Sequence, residues 1–355
     1  MKKSLLTLAL FGVCSSAAFA QSNVTIYGII DGGYLHESGG VAGSVSKLGS
    51  GTQSQSRIGF KGTEDLGGGM SAGFVLETGV SIDNGTATQG GAIYGRNSYV
   101  HLDGNFGVVQ LGRFFTPHYV TLLTVADPFQ VGNLGDSANL MANSGTRTSN
   151  TIKYSTPTYN GVNADLAYVF GEVAGNNVAG RQIGAGLGYS NGPLTLRVGY
   201  NNKDNNTTST GTLGSANNTL YAGNYNFGFA TGFLAYGVNH GLNSSVLNTL
   251  TANPYGSAIA PTASVDSRDT LIGTTIPFGA STIIASVINK KDQTALAQNA
   301  RQYALGYTYN LSAQTNLYTT IAHIVNQNGA GYTVGNSNTA GSGSSAYVVG
   351  VRVKF

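Results

Sequence analysis

Segments of about ten residues that alternate apolar with small or polar side chains recur along the whole chain, and nothing else in the sequence limits its folding as much. In the run RQYALGYTYN at 301–310, Tyr303, Leu305, Tyr307 and Tyr309 share one face while Gln302, Ala304, Gly306 and Thr308 share the other. The closing AYVVGVRVKF repeats the pattern: Tyr347, Val349, Val351, Val353 and Phe355 point one way, and Gly350, Arg352 and Lys354 the other. A repeat of two residues is that of a β-strand with one apolar side. A soluble sandwich would show the same alternation, so the pattern by itself fixes strands and leaves their surroundings open.

Composition and export signals decide the surroundings. Lys2 and Lys3 precede the apolar run LLTLALFGV and the small-residue site Ala18-Phe19-Ala20, so residues 1–20 read as a cleaved secretory leader and 21–355 as one mature domain. Cys14, the only cysteine, lies in that leader without the preceding small residues of a lipoprotein signal, so the mature chain has neither disulfides nor thiolate metal sites. Charged residues make up only 9% of the chain, against about 25% in a soluble globular protein. Past the leader there is no apolar run long enough for a membrane helix. For an exported chain this poor in charge, a closed β-barrel is the remaining way to satisfy every backbone group in lipid. Without Lys2 and Lys3 the basic and acidic residues nearly balance, which indicates no nucleic-acid partner.

Strands are expected near 23–35, 52–63, 70–82, 92–103, 107–114, 148–157, 161–172, 180–190, 194–203, 217–227, 229–240, 267–277, 280–291, 299–310, 315–327 and 345–355, sixteen in all. Their connections alternate short with long. Tight, turn-rich links such as EDLGGG at 64–69 contrast with long Gly-, Ser-, Thr- and Asn-rich loops after the first, fifth, ninth, eleventh and fifteenth strands. Short turns on one rim and long loops on the other are expected of an outer-membrane barrel. The run from Phe114 to Thr146 is too long for a turn and too apolar for a linker, so it reads as a functional loop folded into the lumen.

The mature chain resembles the general diffusion porins of Gram-negative bacteria, in particular the Neisseria and Burkholderia type. The resemblance rests on the opening VTIYGIIDGGY, on SRIGFKGTEDLGGGMSAGFVLETG at 56–79, on GRNSYVHLDGNFGVVQLGR at 95–113 and on the terminal Phe355. It implies an all-β, 16-stranded antiparallel transmembrane barrel with an inward-folded third external loop, assembled as a homotrimer. It also implies that Phe355 is read by the barrel-assembly machinery and that outer-membrane lipid and lipopolysaccharide surround the barrel.

Selectivity in such a channel rests on the few charges that face inward. Ile58 and Phe60 face lipid, so alternation turns Arg57 and Lys61 into the lumen; Ile152 and Tyr154 likewise place Lys153, and Arg147 if the strand reaches that far, inward. The resemblance carries a basic cluster at the constriction onto Arg57, Arg96 and Arg147. Arg96 shares a face with Val100 and Leu102, so it reaches the lumen only through a bulge or a strand-end twist. Opposing charge is expected from Glu77, inward because Phe74 and Leu76 point out, and from Asp127 and Asp136 in the long loop.

Other chemistry finds little support. The five histidines have no metal-binding spacing, Gly184, Gly186 and Gly188 lie in a strand pattern with no helix after them, and no serine is singled out by a partner. Neither a cofactor nor a metal is expected. The sequence therefore reads as a passive, anion-preferring channel for small hydrophilic solutes and ions rather than an enzyme. A lipid-acting barrel enzyme and a plugged adhesin or structural barrel are the alternatives.

Overall fold

The computed structural model describes residues 23–132, 134–246, 253–334 and 342–355. The expected leader, 1–20, lies outside them. The strand segments are β1 (Asn23–Gly40), β2 (Gly43–Ser50), β3 (Arg57–Gly67), β4 (Met70–Ser81), a two-residue β5 (Thr86–Ala87), β6 (Asn97–Gly104), β7 (Gly107–Phe115), β8 (Arg147–Ser155) and β9 (Val162–Val169). They continue with β10 (Gln182–Asn191), β11 (Leu194–Asp204), β12 (Ser215–Asn226), β13 (Thr231–His240), β14 (Asp266–Phe278), β15 (Ser281–Asp292), β16 (Ala300–Asn310), β17 (Thr315–Asn326) and β18 (Ser345–Lys354). Two short α-helices, α1 (Pro117–Thr121) and α2 (Ala138–Met141), lie between β7 and β8, and a π-helical turn at Leu122–Ala126 continues the first.

Neighbouring strands pair antiparallel, and β1 pairs with β18 from Ile29↔Lys354 to Ser38↔Ser345, which closes the sheet on itself. β2 and β3 pair with successive stretches of β1 and so form one interrupted wall strand, while β5 is a stub on β4. The barrel therefore has sixteen strands among the described residues. At the rim of the short turns, Gly28 and the terminal Phe355 exchange backbone hydrogen bonds of 3.0 and 3.1 Å.

Burial follows the alternation. β16 reads buried and exposed by turns along nearly its whole length, and the exposed set includes Arg301, Tyr303, Leu305 and Tyr307. Leu187, Leu234, Ile272, Ile321 and Val349 stand exposed on the same outer surface, as a wall facing hydrocarbon requires. The largest boundary differences from the sequence reading lie in the first four wall strands, of which the second, expected at 52–63, is instead β2 and, after a break, β3. β1 runs on to Gly40 and turns at once into β2, so the long loop expected after the first strand is a hairpin. The fourth wall strand begins at Asn97 rather than 92, because residues 82–96 form a loop that bonds back onto β4, with Arg96 N–H donating to the Glu77 carbonyl at 3.1 Å.

Candidate functional site

The wall strand made of β2 and β3 is broken at Gly51–Ser56, and Asp31 on β1 holds the break. Asp31 Oδ2 accepts from the backbone N–H of Gln53 at 2.9 Å and of Ser54 at 2.5 Å, and Oδ1 accepts from the Tyr318 hydroxyl at 2.6 Å. Ser56 Oγ accepts from Asp31 N–H and donates to its carbonyl, both at 3.0 Å. Asp31 is fully buried, and its carboxylate exchanges water for three bonds, two from the excursion and one from Tyr318, while Ser56 satisfies its backbone N–H and carbonyl. Its side chains reach basic groups on two sides. Ser54 Oγ accepts from Arg352 Nη1 at 2.8 Å, Gln55 Oε1 accepts from Arg96, and Gln53 Oε1 accepts from Asn316, which in turn accepts from Arg352 Nε at 2.9 Å.

Around the excursion the inward charges converge. Glu77 accepts from Arg96 Nε at 2.7 Å, from the Tyr27 hydroxyl at 3.1 Å and from Asn97 at 3.1 Å, and Arg57 Nε lies 3.6 Å from its other oxygen. Arg96 reaches inward because it precedes β6 and escapes the alternation that would have turned it to lipid. Arg147 opens β8 opposite Phe115, past a register shift between Gly112 and Phe114, and its guanidinium stacks 4.2 Å from the Phe115 ring centroid. Tyr119 stacks on the same ring at 5.2 Å between centroids. Arg57, Arg96 and Arg147 line one cavity of about 950 Å³ together with Arg352, Lys354 and Glu77.

The facing side of that cavity is the segment between β7 and β8, through Leu123, Thr124 and Phe129 to Gly132. It packs against inward side chains of the barrel. Ala235, Leu271, Ile288, Gln302 and Ile324 are successive cross-strand partners from β13 to β17 and form a belt. Leu122, Val125, Phe129, Leu134, Leu140 and Met141 are buried with the apolar members of the belt in one cluster. Gln302 donates to the carbonyls of Gly135 and Asp136 at 2.8 and 3.0 Å and accepts from Asn139 at 2.8 Å.

Beside the belt lies a polar anchor. Lys290 Nζ donates to Asp269 Oδ1 at 2.9 Å, to the Leu140 carbonyl at 2.9 Å and to Asn143 Oδ1 at 3.2 Å, while Asp269 Oδ2 accepts from Asn143 and Asn239. Both charged side chains are wholly buried, so their mutual attraction and the loop's carbonyl offset a large desolvation cost. α1 begins on Thr116, whose Oγ1 caps Tyr119 N–H at 3.1 Å, with Pro117 in the first turn. His118 is buried there against Ser144, and burial pushes its imidazole down to about 4.

Several expected charges are elsewhere. Asp127 is buried and accepts from Phe129, Val131 and Ser137 N–H and from the Ser137 hydroxyl, so it knots the loop's own turn; burial raises its carboxyl. Asp136 lines a separate hollow beside Leu35 and Thr88, and burial with the nearby Asp127 pushes its carboxyl up to about 8. Neither aspartate lines the basic cavity, since backbone donors inside the loop satisfy carboxylates at shorter range than arginines across it. Lys61 lies 5.6 Å from the Tyr27 ring and Lys153 5.0 Å from the Phe114 ring, both outside the lining of that cavity. Arg352 and Lys354 were legible as inward residues of the last strand, but no local signal ties them to Arg57. Lys290 and Asp269 carried no signal beyond inward parity, whereas the belt did leave one: Leu271-Ile272 and Val287-Ile288 are apolar on both faces where alternation demands one.

The sequence matches the Gram-negative porin family over residues 6–329. It is 34% identical over 341 residues to the outer membrane porin protein 32 of Delftia acidovorans, covering 92% of this chain and 90% of that protein. An outer membrane porin protein of Bordetella pertussis is 31% identical over 366 residues, with 90% and 93% covered. The fold superposes on an anion-selective porin from Comamonas acidovorans with a TM-score of 0.76 at 29% identity, covering 94% of this chain and all of that one. The trimer form of OmpT from Vibrio cholerae shares the fold at a TM-score of 0.67 and 15% identity, covering 94% and 99%. The Delftia, Bordetella and Comamonas relatives are porins, channels rather than enzymes. The chain belongs to the Gram-negative porin family and is an outer-membrane diffusion porin.

Proposed function

We propose that the cavity of about 950 Å³ is the narrowest section of the pore and that it makes the channel prefer anions. The observation that carries this reading is the count of charges lining it: five cationic side chains, Arg57, Arg96, Arg147, Arg352 and Lys354, against one acidic side chain, Glu77, and the terminal carboxylate of Phe355. Glu77 already accepts from Arg96 and lies beside Arg57, so the section keeps a net positive wall, and the loop residues that line it carry no charge. Cations on a low-dielectric wall focus the field and raise the local concentration of anions that diffuse through in water. The solved relative described as anion-selective supports the same sign.

The leader at 1–20 directs export, Phe355 is the assembly signal, and three copies associate in the membrane among lipid and lipopolysaccharide; the trimer form of a structural neighbour supports the assembly. Small hydrophilic solutes and ions are the cargo. The test is the reversal potential of single channels in a salt gradient. Each wall charge contributes about 1 kcal/mol at contact distance in a wet lumen, so the Arg57→Glu/Arg147→Glu double variant shifts the reversal potential toward cations. Arg57→Lys stays close to the parent. A parent that already prefers cations, or a double variant that does not shift, would overturn the reading. Deleting 121–138 tests the narrowing: conductance rises while the wall ladder, which the deletion does not touch, keeps the barrel closed.

A further inference from the structure

Gly184, Gly186 and Gly188 all face the lumen from β10, and they leave a bare shelf on the inner wall where α1 packs. Gly186 lies between Asp165 on β9 and Gly199 on β11, and Gly188 lies between Asn163 and Arg197. Because the middle strand carries no side chain at these positions, the Arg197 guanidinium crosses it flat: Nη1 donates to Asn163 Oδ1 at 3.0 Å, and Nη2 donates to Asp165. A Cβ on Gly186 would stand 2.5 Å from Nη2, and one on Gly188 would stand 3.0 Å from Nη1. Held that way, Arg197 turns its Nε to the helix and donates to the buried Thr121 Oγ1 at 3.2 Å. The rest of α1 sits on the same shelf, since a Cβ on Gly184 would meet Pro117 Cδ at 2.8 Å and one on Gly199 would meet His118 Cα at 2.9 Å.

The other face of α1 serves the constriction. Its Tyr119 stacks on Phe115, and Phe115 in turn carries the Arg147 guanidinium. The buried Nε of Arg147 has no hydrogen-bond partner among the described residues, so the ring stack is what orients this charge at the cavity wall. Arg197 does not line that cavity, and its own charge is not one of those counted there. On the anion-preferring reading of the cavity, we propose that Arg197 is a positioning residue for Arg147: it sets the height of α1 on the glycine shelf, and α1 sets the stack of Tyr119, Phe115 and Arg147. Loss of the stack leaves the Arg147 charge spread through the wet lumen, where it acts less on the narrowest section.

The experiment uses the full mature protein, with tryptophan emission read in detergent and reversal potentials in planar bilayers. The sequence has no tryptophan, so Phe115→Trp places a single emitter in the stack. In that background Arg197→Lys, which keeps the charge but lacks the planar fork that spans the strand, raises acrylamide quenching and moves emission to the red. Gly199→Ala, which pushes α1 off the shelf, does the same. Without the reporter, Arg197→Lys lowers the anion-to-cation permeability ratio about twofold, part of what one wall charge contributes. With Arg147→Gln already in place it lowers the ratio no further, the non-additivity expected of residues that act as one unit. Heat-modifiable migration certifies the fold of each variant, and Arg197→Gln replaces Arg197→Lys where the latter fails that check. Unchanged quenching in both variants would overturn the proposal, as would an Arg197→Lys shift of equal size with and without Arg147→Gln. An Arg147→Gln variant with the parent's reversal potential would overturn the permeation reading alone, and quenching would then decide whether Arg197 holds the stack.

Discussion

The two sides of the lumen solve opposite problems with the same strand geometry. Under the long segment between β7 and β8 the inner wall is dry: the belt from Ala235 to Ile324 is apolar but for Gln302, and the wholly buried Lys290–Asp269 pair beside it is closed by the segment's own carbonyl. Across the cavity the inner wall is cationic and lines open space, and its charges are positioned by a break in a wall strand. The dry side fixes where the segment lies, and on the reading proposed above the wet side sets what passes it. In a barrel whose backbone must stay fully bonded, position can come from packing on intact strands, whereas this cluster joins to Arg57, Arg352 and Lys354, inward by alternation, arginines that local departures from alternation bring in. Arg96 before β6, the register shift near Arg147 and the excursion at Gly51–Ser56 are such departures.

The largest expected effect comes from breaking the dry side. Lys290→Met leaves Asp269 buried without its cation, which costs about 3–5 kcal/mol. The loss falls on the docked segment, so limited proteolysis should cut within 117–146 and open-channel noise should rise, with the cation-to-anion ratio little changed. Lys290→Met/Asp269→Leu should recover much of the protection, because no buried charge is left unpaired.

Breaking the wet side gives a smaller effect of a different kind. Asp31→Asn takes the charge assistance from the bonds accepted from Gln53, Ser54 and Tyr318, about 1 kcal/mol or less for each. Release of the excursion frees Arg96 and Arg352 from Gln55 and Ser54, so selectivity moves while the segment stays protected from protease. A variant in which protection is lost and selectivity is kept would mean that the two sides are not separable. Gly132 is where they touch, since a Cβ there would stand 2.0 Å from the Gln53 carbonyl.

The smallest effect is a pH dependence. Burial holds the His118 imidazole at about 4, below its ordinary value, so docking of the segment is at full strength above about pH 6.5 and weakens as pH falls toward 4. At about pH 5.5 the loss is about 1 kcal/mol, readable as more frequent closures in voltage steps. His118→Gln should flatten that dependence between pH 4 and 6.5; a parent with no change across this window would place the controlling group elsewhere.

The sequence by itself determined the number of strands, the face of each that meets lipid, the barrel's closure and the parity of Arg57, Glu77, Lys61, Lys153, Arg352 and Lys354. Alternation and the demand that every backbone group be bonded in lipid are local rules, read strand by strand. Only the tertiary structure decided which of these charges share a cavity, that Asp127 is spent inside its own turn, and that Gly51–Ser56 leaves the wall. Those outcomes depend on pairs such as Asp31 with Tyr318 and Lys290 with Leu140, remote in sequence and joined only when the barrel closes and the segment lies down on it. A period of two says which way a side chain points, and cross-strand register together with loop packing says what it meets.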